Sequence, residues 1–426
     1  MVGAILHGRA GSESVFSGRD STTVRNCLRT AHEMNSNGEA IRILWLSDSP
    51  LVKSGFGRVS RELVTRLARV PGIRIACLGW SYDGWPYDRD QFPFDVYPAP
   101  GTSHDPENFE RVIHELKPHV VITLGEMWML DWLHKHPVRP QFKWIGYFPM
   151  DGGPFYPPWE SMLKDVDELV AMSEFGRQIF QEGLPSRKIQ MIYHGVDPAV
   201  FRPLPNREHL KSHERFRGKF VVGCVARNQP RKNIPALVKA FARLSERIEN
   251  LHLYLHMNPC DVGYDLVTLL HRYGLKGKAD VSGPDFSLHQ GLEDEQLNRL
   301  YNLFDMMVLP STGEGFGLPI LESMAAGVPV AATDYSACTE LLRGRGELIK
   351  ILTTVTAGTN LIEQAVIDVE DIATCIERVY RSPQLAKEHS KAGRAFAEKL
   401  SWDAIVQQWV ELIRTTTGGD ALTHIG

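Results

Sequence analysis

The sequence predicts an α/β protein made of two Rossmann-like domains, each a parallel sheet covered by helices. Three observations carry this reading. The chain has 426 residues, more than one hydrophobic core usually serves, so two domains are expected. From residue 41 onward, short apolar runs alternate with stretches of helical periodicity, the pattern of βαβ units. Glycine-rich turns fall between a strand and a helix at residues 55–57 and again at 313–317.

Composition narrows the class. Apolar residues make up 43% and charged residues 23%, ordinary for a globular protein in water. The net charge of −4 suggests no large basic surface for nucleic acid. Cys27, Cys77, Cys224, Cys260, Cys338 and Cys375 are scattered without a C-x-x-C pair. That argues against a zinc site or a disulfide scaffold and fits a reducing compartment. No apolar run approaches the ~20 residues that span a bilayer, and the N-terminus lacks the apolar stretch of a signal peptide. The expectation is a cytoplasmic protein, with peripheral membrane contact left open. No internal repeat is present.

Residues 1–38 are rich in Ser, Gly, Arg and Asn. They read as an N-terminal extension whose order and translation start the sequence leaves open, with a short helix over 24–34. The first strand covers 41–46. Beyond it, Lys53-Ser54-Gly55-Phe56-Gly57-Arg58 leads into a helix to about residue 69. Further strands are expected at 74–78, 120–124, 143–148 and 168–172. Their ends carry Glu126, Asp151 followed by two glycines, and Glu174. In an open α/β sheet, ligands bind beyond such carboxyl ends, and Asp151 is the most suggestive of the three. Two aromatic loops, 80–87 and 155–159, suit either ring stacking on a ligand or loop packing. Residues 203–217 are charged and proline-containing and read as a linker.

A second set of elements starts with a strand at 220–225. The bases Arg227, Arg231 and Lys232 follow it, just ahead of a helix reaching about residue 247. The next strand, 251–256, puts His252 and His256 on one face, but no third ligand accompanies them and no metal is expected there. Another strand ends at 281–284, and a run at 297–304 leads to a strand at 306–309. Then comes Ser311-Thr312-Gly313-Glu314-Gly315-Phe316-Gly317-Leu318-Pro319, with Glu322 one helical turn further on. The glycines permit positive φ and close approach of backbone to a ligand. Pro319 suits the first turn of a helix. A helix start aims unpaired N–H groups at one point and suits an anion. Two acids beside it make sense if the ligand also carries hydroxyls. Helices are expected at 369–380, 384–400 and 401–414, the last capped by Ser401, with a loose tail over 415–426.

The string from Glu314 to Glu322, continued by Gly327-Val328-Pro329-Val330, resembles the E-x7-E signature of retaining glycosyltransferases of family four, which have the GT-B fold. His194-Gly195-Val196-Asp197, with Phe201 and Pro203, resembles the family's N-G-V-D stretch before the interdomain linker. The resemblance covers residues 40–415 and implies an N-terminal Rossmann-like domain at 39–205 on the acceptor side. It also implies a C-terminal Rossmann-like domain at 206–398 on the donor side, and a last helix and tail at 399–426 that cross back. By the same resemblance, Glu322 would hold ribose hydroxyls. Glu314 and the N–H groups of Gly315, Phe316, Gly317 and Leu318 would hold the sugar. Arg227 and Lys232 would hold the diphosphate, and Gly55 and Gly57 would lie near the donor phosphate and the acceptor. Asp151 stands where many members carry a histidine, so the orientation of the sugar is open. No D-x-D string ends a strand, and neither a metal nor another cofactor is expected. A UDP-, GDP- or ADP-sugar would be the donor. The acceptor is open among a saccharide, a lipid-linked sugar, a small molecule, a protein and a modified DNA base, as is the oligomeric state. Two other readings stand beside transfer: a nucleotide-sugar epimerase or hydrolase on the same fold, and a non-catalytic nucleotide-sugar-binding scaffold.

Overall fold

The computed structural model describes residues 40–101, 105–283, 286–287 and 289–418. The extension at 1–38 with its expected helix, Pro284, and the tail beyond 418 lie outside the described residues.

Seven parallel strands form the first sheet: β1 (Ile41–Asp48), β2 (Ile73–Trp80), β3 (Asp95–Ala99), β4 (Val120–Leu124), β5 (Lys143–Phe148), β6 (Glu168–Ala171) and β7 (Gln190–Met191). Their spatial order is β3-β2-β1-β4-β5-β6-β7. Six parallel strands form the second: β8 (Phe220–Val225), β9 (Leu251–His256), β10 (Ala279–Val281), β11 (Met306–Leu309), β12 (Val330–Thr333) and β13 (Glu347–Ile349). Their order is β10-β9-β8-β11-β12-β13. Strands buried on both faces need continuous apolar sequence, which β11 has throughout and β1 has from Ile43 to Leu46. Ile43, Leu44 and Trp45 of β1 are all fully buried, as are Met306 to Leu309 of β11. In each sheet the strand order reverses beside the first strand, between β1 and β4 and between β8 and β11. That reversal splays the loops apart and opens a crevice at the carboxyl ends.

The short strands β7, β12 and β13 were not anticipated, nor were two further features. The edge strand β3 contains Pro98, which only an edge tolerates, and it starts polar at Asp95. The other is an antiparallel hairpin of β14 (Ile351–Ala357) and β15 (Ile362–Ile367), half exposed and threonine-rich, with no solid apolar run to signal it. Its inner strand ties the two halves of the molecule together. Ala365 N–H donates to Thr312 O at 2.9 Å, and Glu363 N–H donates to Gly153 O at 2.6 Å.

The helices end close to their expected limits. The Gly55–Leu67 helix stops two residues short of 69, and Ser54 caps it by accepting from Gly57 N–H at 2.8 Å. The Trp402–Thr416 helix is capped by Ser401, which accepts from Ala404 N–H. This last helix lies on the first sheet. The Trp409 ring meets Trp45 at 6.1 Å and Tyr147 at 5.0 Å between centroids. Among the described residues no helix is long and apolar enough to cross a membrane.

Candidate active site

The carboxyl ends of both sheets meet across a cleft of about 840 Å3. Asp48, Glu126 and Asp151 come to it from the ends of β1, β4 and β5. Arg227, Arg231 and Lys232 come from the turn after β8, and residues 314–319 with Glu322 come from the turn and helix after β11.

At its centre the Glu314 carboxylate accepts from Lys232 Nζ at 2.5 Å and from Arg231 Nη1 at 3.1 Å. Burial opposes the charge on Glu314, but the two cations outweigh it and hold the carboxyl at about pKa 2. Burial in turn pulls the Lys232 ammonium below its ordinary value against the attraction of Glu314. Arg231 also reaches across to Asp151, at 3.3 Å, and donates to Gly313 O at 2.6 Å. The chain Asp151–Arg231–Glu314–Lys232 therefore bridges the two domains. Arg227 stands apart from it, bidentate on Asp261 at 2.7 and 3.2 Å.

The helix Leu318–Ala325 begins at Gly317, whose φ of +105° only glycine adopts without strain, and no side chain caps it. Its first turn faces the cleft uncapped. One turn in, Glu322 is buried, with Tyr301 Oη donating to it at 2.8 Å and Arg58 Nε at 3.2 Å. Burial raises the Glu322 carboxyl above its ordinary pKa, and Arg58 and Tyr301 pull the other way.

The turn glycines require a correction. All three were expected to supply positive φ and approach to a ligand, but only Gly317 has positive φ. A Cβ on Gly313 would collide with the Asp151 carbonyl, and one on Gly315 with the Pro149 ring. These two glycines let the domains touch. Gly57 is similar: a Cβ there would strike the Val52 carbonyl, and Gly57 is buried under its own loop while Gly55 lines the cleft. Of the named residues, Arg227, Lys232, Glu314, Asp151, Gly55, Gly315, Phe316, Gly317, Leu318 and Glu322 come together, and Gly57 does not.

Sequence reasoning gave no role in the cleft to Arg58, Tyr301 or Glu126, and it took Glu340 only as a residue that extends the family pattern. Arg58 was quoted within the glycine-rich loop, yet nothing local showed that it would meet Glu322 and Asp294, at 3.2 and 3.0 Å. Tyr301 lies within the run at 297–304, and nothing local singles it out. Glu126 was noted only as a polar strand end. Its carboxyl is pushed up to about 8 by burial and by the neighbouring Asp151, against the pull of Arg231. Glu340 crosses between domains to accept from the N–H groups of Glu174 and Phe175 and from Tyr193 Oη. Of the aromatic loops, 155–159 packs on itself, with Phe155 and Tyr156 edge-on to Trp159. In the other, Trp85 reaches His289 across the cleft, at 5.3 Å between centroids. His252 and His256 pair with Asp280 and Ser282, at 3.0 and 2.8 Å. A second depression, of about 790 Å3, lies at the opposite end of the first sheet. Its Arg139 and Lys143 are already committed to Asp165 and Asp167.

Residues 205–396 match the family described as glycosyl transferases group 1. The match takes in 192 of the 426 residues, just under half of the chain. The chain is 24% identical over 320 residues to an MMP alpha-(1->4)-mannosyltransferase of Mycolicibacterium hassiacum, covering 74% of this chain and 64% of that one. It is 31% identical over 191 residues to the lipopolysaccharide core biosynthesis mannosyltransferase LpcC of Rhizobium leguminosarum, covering 44% and 50%. The chain thus spans less than two thirds of the length of either relative. Among solved structures, sucrose-phosphate synthase from Thermosynechococcus elongatus matches with a TM-score of 0.70 at 19% identity, over 89% of this chain and 100% of that one. Anabaena Alr3699/HepE in complex with UDP-glucose matches with a TM-score of 0.69 at 17% identity, over 88% and 100%. The fold is therefore GT-B. Residues 205–396 contribute the cations and the uncapped helix to the cleft, and the first sheet contributes the opposing acids.

Proposed function

We propose that this protein is a retaining, metal-independent glycosyltransferase that moves a sugar from a nucleoside-diphosphate sugar to a hydroxyl acceptor. The observation that carries the reading is the convergence of Arg227, Arg231, Lys232 and an uncapped helix N-terminus on one wall of the cleft. Such a wall suits a diphosphate, and its positive charge does for the leaving group what a cation would do.

In this reading the acceptor oxygen attacks the anomeric carbon from the face on which the diphosphate departs. The new C–O bond forms as the bond from that carbon to the β-phosphate oxygen breaks, and its electron pair stays on the phosphate. The acceptor proton passes to the departing phosphate oxygen, so no protein base is required. Lys232 and Arg227 stabilise the charge that builds there. Glu314 fixes Lys232 and Arg231 and offers its remaining lone pairs to a sugar hydroxyl, beside the N–H groups of residues 315–318. Glu322 receives the ribose hydroxyls on lone pairs left over by Tyr301 and Arg58. The 39–205 part faces the acceptor, the 206–398 part holds the donor, and the helix beginning after residue 399 fastens onto the first.

The test is thermal unfolding against a panel of nucleoside diphosphates and UDP-, GDP- and ADP-sugars, with and without EDTA. A ligand at ~100 times its Kd should stabilise the protein by about 2.7 kcal/mol. One base should stand out, with EDTA making no difference, and the product anomer read by NMR should keep the donor's configuration. Stabilisation by no nucleotide, or stabilisation abolished by EDTA and restored by magnesium, would contradict the reading.

A further inference from the structure

Of the three bases that follow β8, Arg231 is held from both sides of the cleft. Its Nε pairs with the Asp151 carboxylate at 3.3 Å, and Nη1 donates to Gly313 O at 2.6 Å and to Glu314 at 3.1 Å. Its own carbonyl accepts from Thr312 N–H at 2.8 Å, so backbone and side chain are both fixed. Among the described residues Nη2 has no partner, and Arg231 lines the cleft. Arg227 differs. Its Nε and Nη2 are both spent on Asp261, and nearly half of its side chain is exposed. Asp151 is as firmly placed as its partner. The end of β5 that carries it abuts the second domain so closely that a Cβ on Gly313 would meet the Asp151 carbonyl. Two residues further on, Gly153 O accepts from Glu363 N–H of the hairpin.

Building on the proposed transfer, we infer that Arg231 is a further catalytic residue whose Nη2 donates to the β-phosphate of the donor, and that Asp151 is a positioning residue that acts through Arg231. A guanidinium is a rigid planar fork, so fixing Nε and Nη1 also fixes where the two N–H bonds of Nη2 point. Gly313 O and Glu314 supply half of that fixing from the second domain, and Asp151 supplies the other half from the first. The fork is therefore set only while the domains are seated together, which ties the leaving-group contact to closure. The two carboxylates beside Arg231 offset its charge, so what it offers the phosphate is directed N–H bonds. Such bonds strengthen as negative charge collects on the departing oxygen. In this arrangement the Asp151 carboxylate is turned to Arg231 and touches neither sugar nor acceptor.

The test uses the full chain with the nucleoside diphosphate and nucleotide sugar that stabilise it most. Water and a panel of free sugars serve as acceptors, and release of the diphosphate reports turnover. Arg231→Met should weaken the diphosphate at least about five-fold while leaving the matching monophosphate, which has no β-phosphate, within about two-fold. Asp151→Asn should lower kcat at least about ten-fold, with the diphosphate bound no more weakly because a negative charge has gone. In the double variant kcat should match that of Arg231→Met within about two-fold, since Asp151 then has nothing to position. Equal weakening of monophosphate and diphosphate by Arg231→Met overturns the phosphate contact. Wild-type kcat in Asp151→Asn, or losses that multiply in the double variant, overturn the positioning role. In each of these cases the wild type still binds nucleotide and turns over donor, and the proposed function stands. A wild type that binds no nucleotide, or turns over no donor, removes the proposed function and this inference with it.

Discussion

Glu314 lies between two cations because its turn folds it back toward β8 and away from solvent. A buried carboxylate held by Lys232 and Arg231 is rigid, and it keeps both cations aimed at one place. Its neighbour across the cleft behaves in the opposite way. With a folded pKa of about 8 against an ordinary value of 4.5, Glu126 holds a proton between those values that the unfolded chain has lost. The native state then binds more protons than the unfolded one, so stability falls as pH rises from 4.5 through 8. Glu126→Gln should remove that slope, giving a protein whose melting temperature exceeds the wild type above pH 8 and converges with it below pH 5. Parallel pH profiles for the two proteins would contradict the assignment. Glu314 has the reverse sign: the stability it contributes is complete above pH 4.5 and is lost as pH falls toward 2. At Glu322, replacement by Ala should weaken nucleotide-sugar binding by about 1–3 kcal/mol, the loss expected for hydrogen bonds to a charged group. Isothermal titration checks it, and an unchanged Kd would remove Glu322 from the ribose site.

At the scale of elements, the turn after β11 serves two purposes. Gly317 starts a helix with its N–H groups free, and Gly313 and Gly315 let the second domain seat against residues 149–151 of the first. Gly315→Ala should therefore leave nucleotide affinity nearly unchanged, because the donor wall is intact. It should lower kcat at least about ten-fold, because the Pro149 contact no longer closes. Equal kcat in the variant would mean that closure at this point does not limit the reaction. The β14–β15 hairpin supports the same seam from the side, through Thr312 and Gly153.

Across the whole molecule, ion pairs cross the cleft at several points. Lys53, Arg58 and Arg61 face Glu293, Asp294 and Glu322 over one end of the cleft, Arg231 meets Asp151 in the middle, and Glu340 caps the Glu174–Gly183 helix at the other end. Partly exposed pairs of this kind are screened as ionic strength rises, since the Debye length shrinks from ~10 Å at 0.1 M to ~3 Å at 1 M salt. X-ray scattering should show a larger radius of gyration without nucleotide at 1 M salt than at 0.1 M, with nucleotide reversing the change. A radius independent of salt would mean that apolar contacts, such as Phe316 against His194, hold the domains closed by themselves.

Much of this was legible in residue order alone. Buried parallel strands require apolar runs, so β4, β5, β8, β11 and β1 from Ile43 onward could be read directly. Helix starts announce themselves through Pro319 and Ser401, because helix-start preferences are local. The acids and bases beside those starts were legible for the same reason: their place at a strand end is fixed by neighbours in sequence. Contacts made across the cleft were not. Arg58 on Glu322, Arg231 on Asp151, Glu340 on the Glu174–Gly183 helix, and the two seam glycines join residues more than 70 positions apart, and no local pattern encodes such partners. The unpaired acid at Glu126 belongs with them. Its raised pKa comes from burial and from a second carboxylate on another strand, so only the folded chain could produce it.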